Sequence, residues 1–202
     1  MRRRSQPELF ICPADDGAIV LDLEKERYYG VPQSEVPATT QAVLAAQANL
    51  SIPLRHVDPA ALLSVPPEPT HTVSAAHFLM LLATACRVGL TLKLYGSKAP
   101  IRHLIRTKLG CNPSRGDCTV RELMSFVGEF RVLRPWLYTA RDRCLFDSLV
   151  LASYLHKLGF DPTFVIGVRT KPFSAHAWVQ VGNYVVDDSP ETVASFPPIL
   201  AI

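Results

Sequence analysis

Apolar and polar positions alternate in short runs along the first thirty residues, broken by turn signals. Glu8–Cys12 reads as a short strand, Asp15-Asp16-Gly17 as a turn, and Ala18–Leu23 as an apolar strand. Glu24–Glu26 turns the chain again, and Arg27–Val31 returns it carrying Tyr28 and Tyr29. This is the pattern of a small β-meander. The period then lengthens. Thr39–Ala48 is Ala-rich and reads as a helix, with Thr39 or Thr40 as the N-cap. Asp58 and Pro59 before Ala60–Leu63 predict a second short helix, with Pro at its first position. In Ser64–Thr70, the prolines Pro66, Pro67 and Pro69 cannot continue a helix and mark a linker.

Beyond the linker the pattern is helical over about 74–94, 101–109 and 120–133. The second of these stops at Gly110, and the third follows Asp117 or Thr119 as N-cap. In Cys144–Leu158 the apolar positions Leu145, Leu149, Ala152 and Leu155 share one face, and Gly159 is a natural C-cap. Strands follow at Thr163–Val168, Ala175–Val181 and Tyr184–Asp187. The last two form a hairpin about Gly182-Asn183. No internal repeat is visible. The expected class is α+β, with a small N-terminal sheet plus helices and a helix-then-sheet C-terminal half.

Composition narrows the function. With 48% hydrophobic and 19% charged residues in 202, the chain can bury a core and wholesale disorder is excluded. A net charge of +3 brings no basic stripe, so nucleic acid is not expected as a partner. Arg2–Arg4 read as a solvated tail, since no apolar run and small-residue cleavage site follow them. Five cysteines without framework spacing favour free thiols in a reducing, cytoplasmic setting. Cys111 and Cys118 are too widely spaced for the tight pair of a zinc site, and no metal is expected. Phe78–Leu94 is strongly apolar but interrupted by Arg87 and Lys93. A core helix, with no membrane partner, is expected there.

The chemistry lies near the end. Cys144 opens a helix, His176 sits on a strand in Ser174-Ala175-His176-Ala177-Trp178, and Asp187 and Asp188 end the next strand. A helix N-terminus and an imidazole both depress a thiol's pKa, and a carboxylate can hold the imidazole in one tautomer. Taken singly, Cys144 reads as a small buried hydrophobe and His176 as a core histidine beside Trp178; the ordered set favours a nucleophile, base and orienter. Cys12, Cys86, Cys111 and Cys118 are assigned to packing. The hairpin leaves one conflict. A strict two-residue turn pairs Val181 with Tyr184 and puts Asp187, not Asp188, on the face of His176. A three-residue loop or a bulge would restore Asp188.

Phe164–Phe173 followed by Ser174-Ala175-His176-Ala177-Trp178-Val179 resembles the C-terminal part of lasso-peptide B proteins. These are transglutaminase-like, papain-type cysteine peptidases that remove the leader from a ribosomally made precursor. The resemblance implies that Cys144, His176 and Asp188 form a catalytic triad, with Asp187 kept as the alternative acid. Ile19–Val31 resembles a second module, the PqqD-like leader-recognition domains, winged-helix-like folds of three strands and three helices. The pair implies a leader-recognition domain over 1–68 and a peptidase domain over 69–202. An edge strand at Arg27, Tyr28, Tyr29, Gly30 and Val31 is expected to accept the leader as an added strand. The implied partners are a lasso precursor and an ATP-dependent, asparagine-synthetase-like cyclase that closes the macrolactam; no cofactor is implied. Family precursors usually carry Thr as the penultimate leader residue. Two rival readings remain open: acyl transfer to an amine, as in transglutaminases, and a non-catalytic adaptor that delivers the precursor.

Overall fold

The computed structural model describes residues 8–47, 55, 57, 62–64, 74–110, 119–139 and 143–202. The chain is α+β. Its first three strands, β1 (Leu9–Ala14), β2 (Gly17–Asp22) and β3 (Arg27–Pro32), form an antiparallel sheet in the order β1-β2-β3. The meander runs as the turn signals and short apolar runs predict. β2 is the central strand and is buried along its whole length, which explains its run of small and branched apolar residues from Gly17 to Leu21; the buried Asp22 that ends it pairs with Lys25. Ile19, Leu21 and Leu23 face the main core, together with Phe10 and Cys12. Ala18 and Val20 alternate onto the other face. The helix α1 (Val36–Gln47) packs against β1 and β3. It starts three residues before the expected caps, behind a single 3-10 turn at Gln33–Glu35.

Four helices follow: α2 (Ala75–Tyr95), α3 (Lys98–Gly110), α4 (Val120–Leu137) and α5 (Cys144–Lys157). Thr119 caps α4 in a capping box with Glu122, and the helix runs on past Pro135 to Leu137, beyond the expected end at Leu133. α2 buries Leu81, Thr84, Ala85 and Val88 along one stripe. The expectation of a core helix holds for that stripe alone, because Leu79, Leu82, Leu90, Leu94 and Tyr95 are exposed on its other faces. Among the described residues it is the one helix long and apolar enough to cross a membrane by length and composition.

The second sheet has the order β4-β7-β6-β5-β8. Its strands are β4 (Leu63–Ser64), β5 (Pro162–Thr170), β6 (Phe173–Val181), β7 (Tyr184–Val185) and β8 (Pro198–Ala201). A short helix, α6 (Pro190–Ala194), lies between β7 and β8. α5 packs across β5 and β6. Two expectations are corrected. Leu63 does not end a helix: with Ser64 it adds a parallel strand beside β7. Two residues paired through their backbones need no periodic signal, so the local pattern could not announce them. The second arm of the hairpin ends at Val185, not Asp187. Asp58–Ala61, Val65–Thr70, Cys111, Cys118 and Arg2–Arg4 lie outside the described residues.

The two sheets share one hydrophobic core. Phe10, Leu21 and Leu23 belong to the same buried cluster as Leu149, Tyr154, Phe164 and Val179. Charges fasten the seam. Arg102 on α3 bonds Glu8 at 2.9 Å and Glu24 at 2.7 Å, and Lys98 reaches Glu24 at 3.2 Å. Glu26, in the β2–β3 turn with φ +55°, accepts hydrogen bonds from the Ser97 hydroxyl and the Lys98 N–H at the start of α3. Gly96 has φ +71°, and a Cβ there would stand 2.3 Å from the Glu26 carboxylate. Only glycine meets both the backbone angle and the close approach.

Candidate active site

β7 is short, and that shapes the site. The Gly182-Asn183 turn is a strict two-residue turn, with Val181 opposite Tyr184 and Gln180 opposite Val185. One further backbone bond runs from Val186 N–H to the Val179 carbonyl, and then the chain bends away. The edge of β6 above that point is left without a partner strand, and side chains take its place. Val179 N–H donates to Asp187 Oδ1 at 2.8 Å, and the Ala177 carbonyl accepts from the Ser148 hydroxyl at 3.0 Å. Ala177 N–H donates to Cys144, the first residue of α5.

This resolves the register conflict in a way neither anticipated route described. No extra loop residue and no bulge shifts the parity. The ladder stops, so parity no longer governs Asp187 and Asp188. Asp187 turns in toward β6 and Ser148, bonding Ser148 Oγ at 2.7 Å. Asp188 reaches His176, with Oδ2 2.7 Å from Nε2. Asp188 also accepts from Ser189 N–H at 2.7 Å, just before the Ser189-capped helix α6.

His176 sits over a packed floor. Its ring is stacked on Trp178, centroids 6.2 Å apart, and tilted against Phe196 at 5.2 Å. Trp178 is fully buried. Gly167 pairs with His176 across the sheet, and a Cβ there would lie 2.7 Å from the Trp178 ring. With Nε2 engaged by Asp188, Nδ1 is the nitrogen left for the thiol. The half-buried Cys144 is held in turn by the first turns of its own helix. Asp147 is buried, accepts from Arg134 at 2.7 Å and from the Tyr138 hydroxyl at 2.8 Å, and so ties the end of α4 to the start of α5.

The electrostatics follow from these contacts. His176 holds the Cys144 thiol below its ordinary value; burial opposes this, and the N–H groups of Ala177 and Leu145 assist. Asp188 first, and then Cys144, push the His176 imidazole up to about 9. Burial works against ionisation of Asp188, yet His176 and Ser189 N–H outweigh it and keep the carboxyl low. Asp187 goes the other way. Burial lifts it to about 7 despite the bonds from Val179 and Ser148. A protonated Asp187 suits its contacts, because Ser148 has one hydroxyl proton and two acceptors within reach.

Cys144 and His176 open onto a cavity of about 270 Å³. One wall is Leu145, Ile166 and Ala177, and the other is Leu21, Leu23 and Tyr28 of the N-terminal sheet. Tyr28 is half-buried, and its ring meets Phe173 edge-on at 5.5 Å. Its hydroxyl is pushed up by burial and by the nearby Cys144. Tyr29 and Gly30 are exposed, as are the side chains of Arg27 and Pro32. β3 is the edge strand of its sheet. Of Arg27–Val31, Tyr28 is the residue that lines the Cys144 cavity. Of the remaining cysteines, Cys12 is buried and Cys86 exposed. Among the described residues, no group of three or more His, Cys, Asp or Glu side chains is placed to hold a metal ion.

Reasoning from sequence missed Ser148, Asp147 and the sheet's wall. An acid in the first turn of a helix opening on Cys144 was a usable signal for Asp147. Leu21 and Leu23 gave none beyond being apolar, because what they face is set by docking across the whole chain.

Residues 90–201 match the family model described as the transglutaminase-like superfamily. The chain belongs to that superfamily. Over 50 residues it is 47% identical to the microcin J25-processing protein McjB of Escherichia coli, covering 25% of this chain and 24% of that protein. UDP-N-acetylmuramate–L-alanine ligases of Verminephrobacter eiseniae and a Polaromonas species are each 42% identical over 53 residues, 26% of this chain and 11% of the ligase. The chain thus spans a quarter or less of the length of these curated relatives. No solved structure matches it.

Proposed function

We propose that the protein is a cytoplasmic leader peptidase of lasso-peptide biosynthesis. Residues 1–68 act as a PqqD-like leader-recognition module and 69–202 as the cysteine peptidase. The observation that carries this reading is the pairing of Cys144 with His176, itself held by Asp188, at a cavity whose far wall comes from the N-terminal sheet. The partial likeness to McjB supports the pathway.

In this mechanism the Cys144 thiolate attacks the carbonyl at the leader–core junction. The paired imidazolium of His176 gives its proton to the departing core amine, and a thioester remains on Cys144. Water then attacks the thioester with His176 as base, releasing the leader as a free acid and restoring the thiol. Asp188 holds Nε2, fixes the ring and favours its charged form. The Cys144 N–H lies at the start of α5, where helical N–H groups lack intrahelical partners, and suits the developing oxyanion. Arg27–Val31 holds the leader by strand addition. The freed amine is what an ATP-dependent cyclase would join to an acidic side chain. No cofactor or metal is required for these steps.

The test uses a synthetic precursor with Thr as penultimate leader residue and a Gly-led core, followed by mass spectrometry. The expected products are a leader acid and a core with a free amine. A leader–amine adduct would instead identify an acyltransferase. An intact precursor, with Cys144 unreactive to iodoacetamide at neutral pH, would identify an adaptor.

A further inference from the structure

We infer that the cavity at Cys144 is a subsite for the last residue of the leader, that it takes an apolar side chain, and that Leu21 and Leu23 of the N-terminal sheet set its size. The inference rests on the peptidase reading and adds a specificity role to a sheet so far given only a tethering one.

The residue whose carbonyl Cys144 attacks is, on the leader side, the one whose side chain starts nearest the sulfur. Its side chain must therefore enter a space bordering Cys144 or point to solvent. The bordering space is the cavity of about 270 Å³. Small-molecule sites run roughly 300–1,000 Å³, so this one is on the scale of a single large side chain. Its walls are mostly carbon: Leu21, Leu23, Leu145, Ile166 and Ala177, with the Tyr28 ring. Leu21 and Leu23 are buried, so this wall is set by packed side chains. Glu26 borders the cavity too, but its carboxylate is already engaged by Ser97 and the Lys98 N–H. Those donors are neutral, so the carboxylate keeps its charge and would repel an acidic substrate side chain.

The side of the scissile bond follows from Tyr28. This residue lines the cavity and also belongs to the β3 segment proposed to hold the leader. The cavity therefore adjoins the proposed leader path.

The experiment is a set of precursors identical except for the last leader residue, which is Ala, Leu, Phe or Asp. Full-length wild-type protein and the variants Leu21→Ala, Leu23→Ala and Leu23→Trp are compared by kcat/KM. Leader affinity is read separately by fluorescence anisotropy, and folding by circular dichroism. In wild type, Leu or Phe is expected to exceed Ala by about 10- to 100-fold, with Asp the poorest. The Leu→Ala variants should move the preference toward Phe. Leu23→Trp should cut the Leu-to-Ala ratio at least about tenfold; if Trp unfolds the protein, the Ala variants carry the test. Equal cleavage of all four peptides, or a ratio that ignores positions 21 and 23 in folded variants, overturns the subsite while leaving the peptidase reading intact. Cleavage of none of them overturns both.

Discussion

The corner that holds Cys144, His176 and Asp188 and the three-stranded sheet opposite it face one cavity, yet they are held by different means. The corner is fixed from below. Its His176 ring rests on buried Trp178 and Phe196, and its cysteine stands at the end of a helix buried against β5 and β6. The sheet is fixed from the side. Apolar contact seats it, and partly exposed ion pairs at Glu8 and Glu24, with hydrogen bonds to Glu26, hold it to α3. Packing of the first kind sets positions to fractions of an ångström, while ion pairs of the second kind are individually weak. The expectation is that chemistry is intrinsic to the corner, whereas the shape of the cavity depends on docking.

The largest effects should come from the corner. Cys144→Ala and His176→Ala are each expected to lower cleavage by at least about 10⁴-fold while the protein stays folded and binds leader. His176→Ala should also slow iodoacetamide alkylation of Cys144 at pH 7, with exposed Cys86 as a control within the same chain. The folded value of His176 lies above its ordinary one, so the thiolate–imidazolium pair persists below it. Activity should fall as pH rises through about 9. Near-normal cleavage by folded Cys144→Ala would dissolve the comparison, since the corner would then hold no chemistry.

The two neighbouring acids separate next. Asp188→Asn should cost about 10²–10⁴-fold in kcat, because the amide cannot favour the imidazolium. Asp187→Asn should stay within about tenfold, since an amide still accepts from Val179 N–H and donates to Ser148. The second variant has its own signature. Asp187 is raised from 3.8 to about 7 in the fold, so the wild-type carboxyl destabilises the fold increasingly as pH rises across that interval. Asp187→Asn should therefore gain in urea midpoint relative to wild type between pH 5 and pH 8. The reverse ranking in activity would make Asp187 the orienting acid.

Smaller effects belong to the sheet. Tyr29→Pro in the edge strand should weaken leader binding at least about tenfold and leave alkylation of Cys144 unchanged, with circular dichroism confirming the fold. Arg102→Ala removes the bonds to Glu8 and Glu24 and should cost about 1 kcal/mol of stability, read from denaturant midpoints. If Arg102→Ala slowed alkylation of Cys144 as much as His176→Ala does, the corner would not be independent of the docked sheet.

Much of the fold was legible because it is local. Turn residues at 15–17 and 24–26 and the apolar run between them dictate the meander. The face shared by Leu145, Leu149, Ala152 and Leu155, with Gly159 after it, dictates α5. β4 could not be read, because two residues paired in parallel with a distant strand carry no pattern of their own. The ordering of Cys144, His176 and an acid was legible too. Which acid reaches His176 was not readable from pairing, since β7 stops at Val185 and the strand rule ceases to apply there. The contact between Glu26 and Gly96 lies furthest from view: two turns in separate parts of the chain each adopt a left-handed angle to meet the other.

That seam also makes the protein responsive to its solvent. The pairs at Lys98 and Arg102 are about one-third exposed, and at 0.15 M salt the screening length is already about 8 Å, shortening to about 3 Å at 1 M. Ionic strength thus acts on one wall of the cavity and spares the other. Raising it loosens the grip on the β2–β3 turn while the buried floor beneath His176 is left unchanged. On the proposed peptidase reading, rising salt is expected to blur the choice among substrates before it changes the rate of bond breaking.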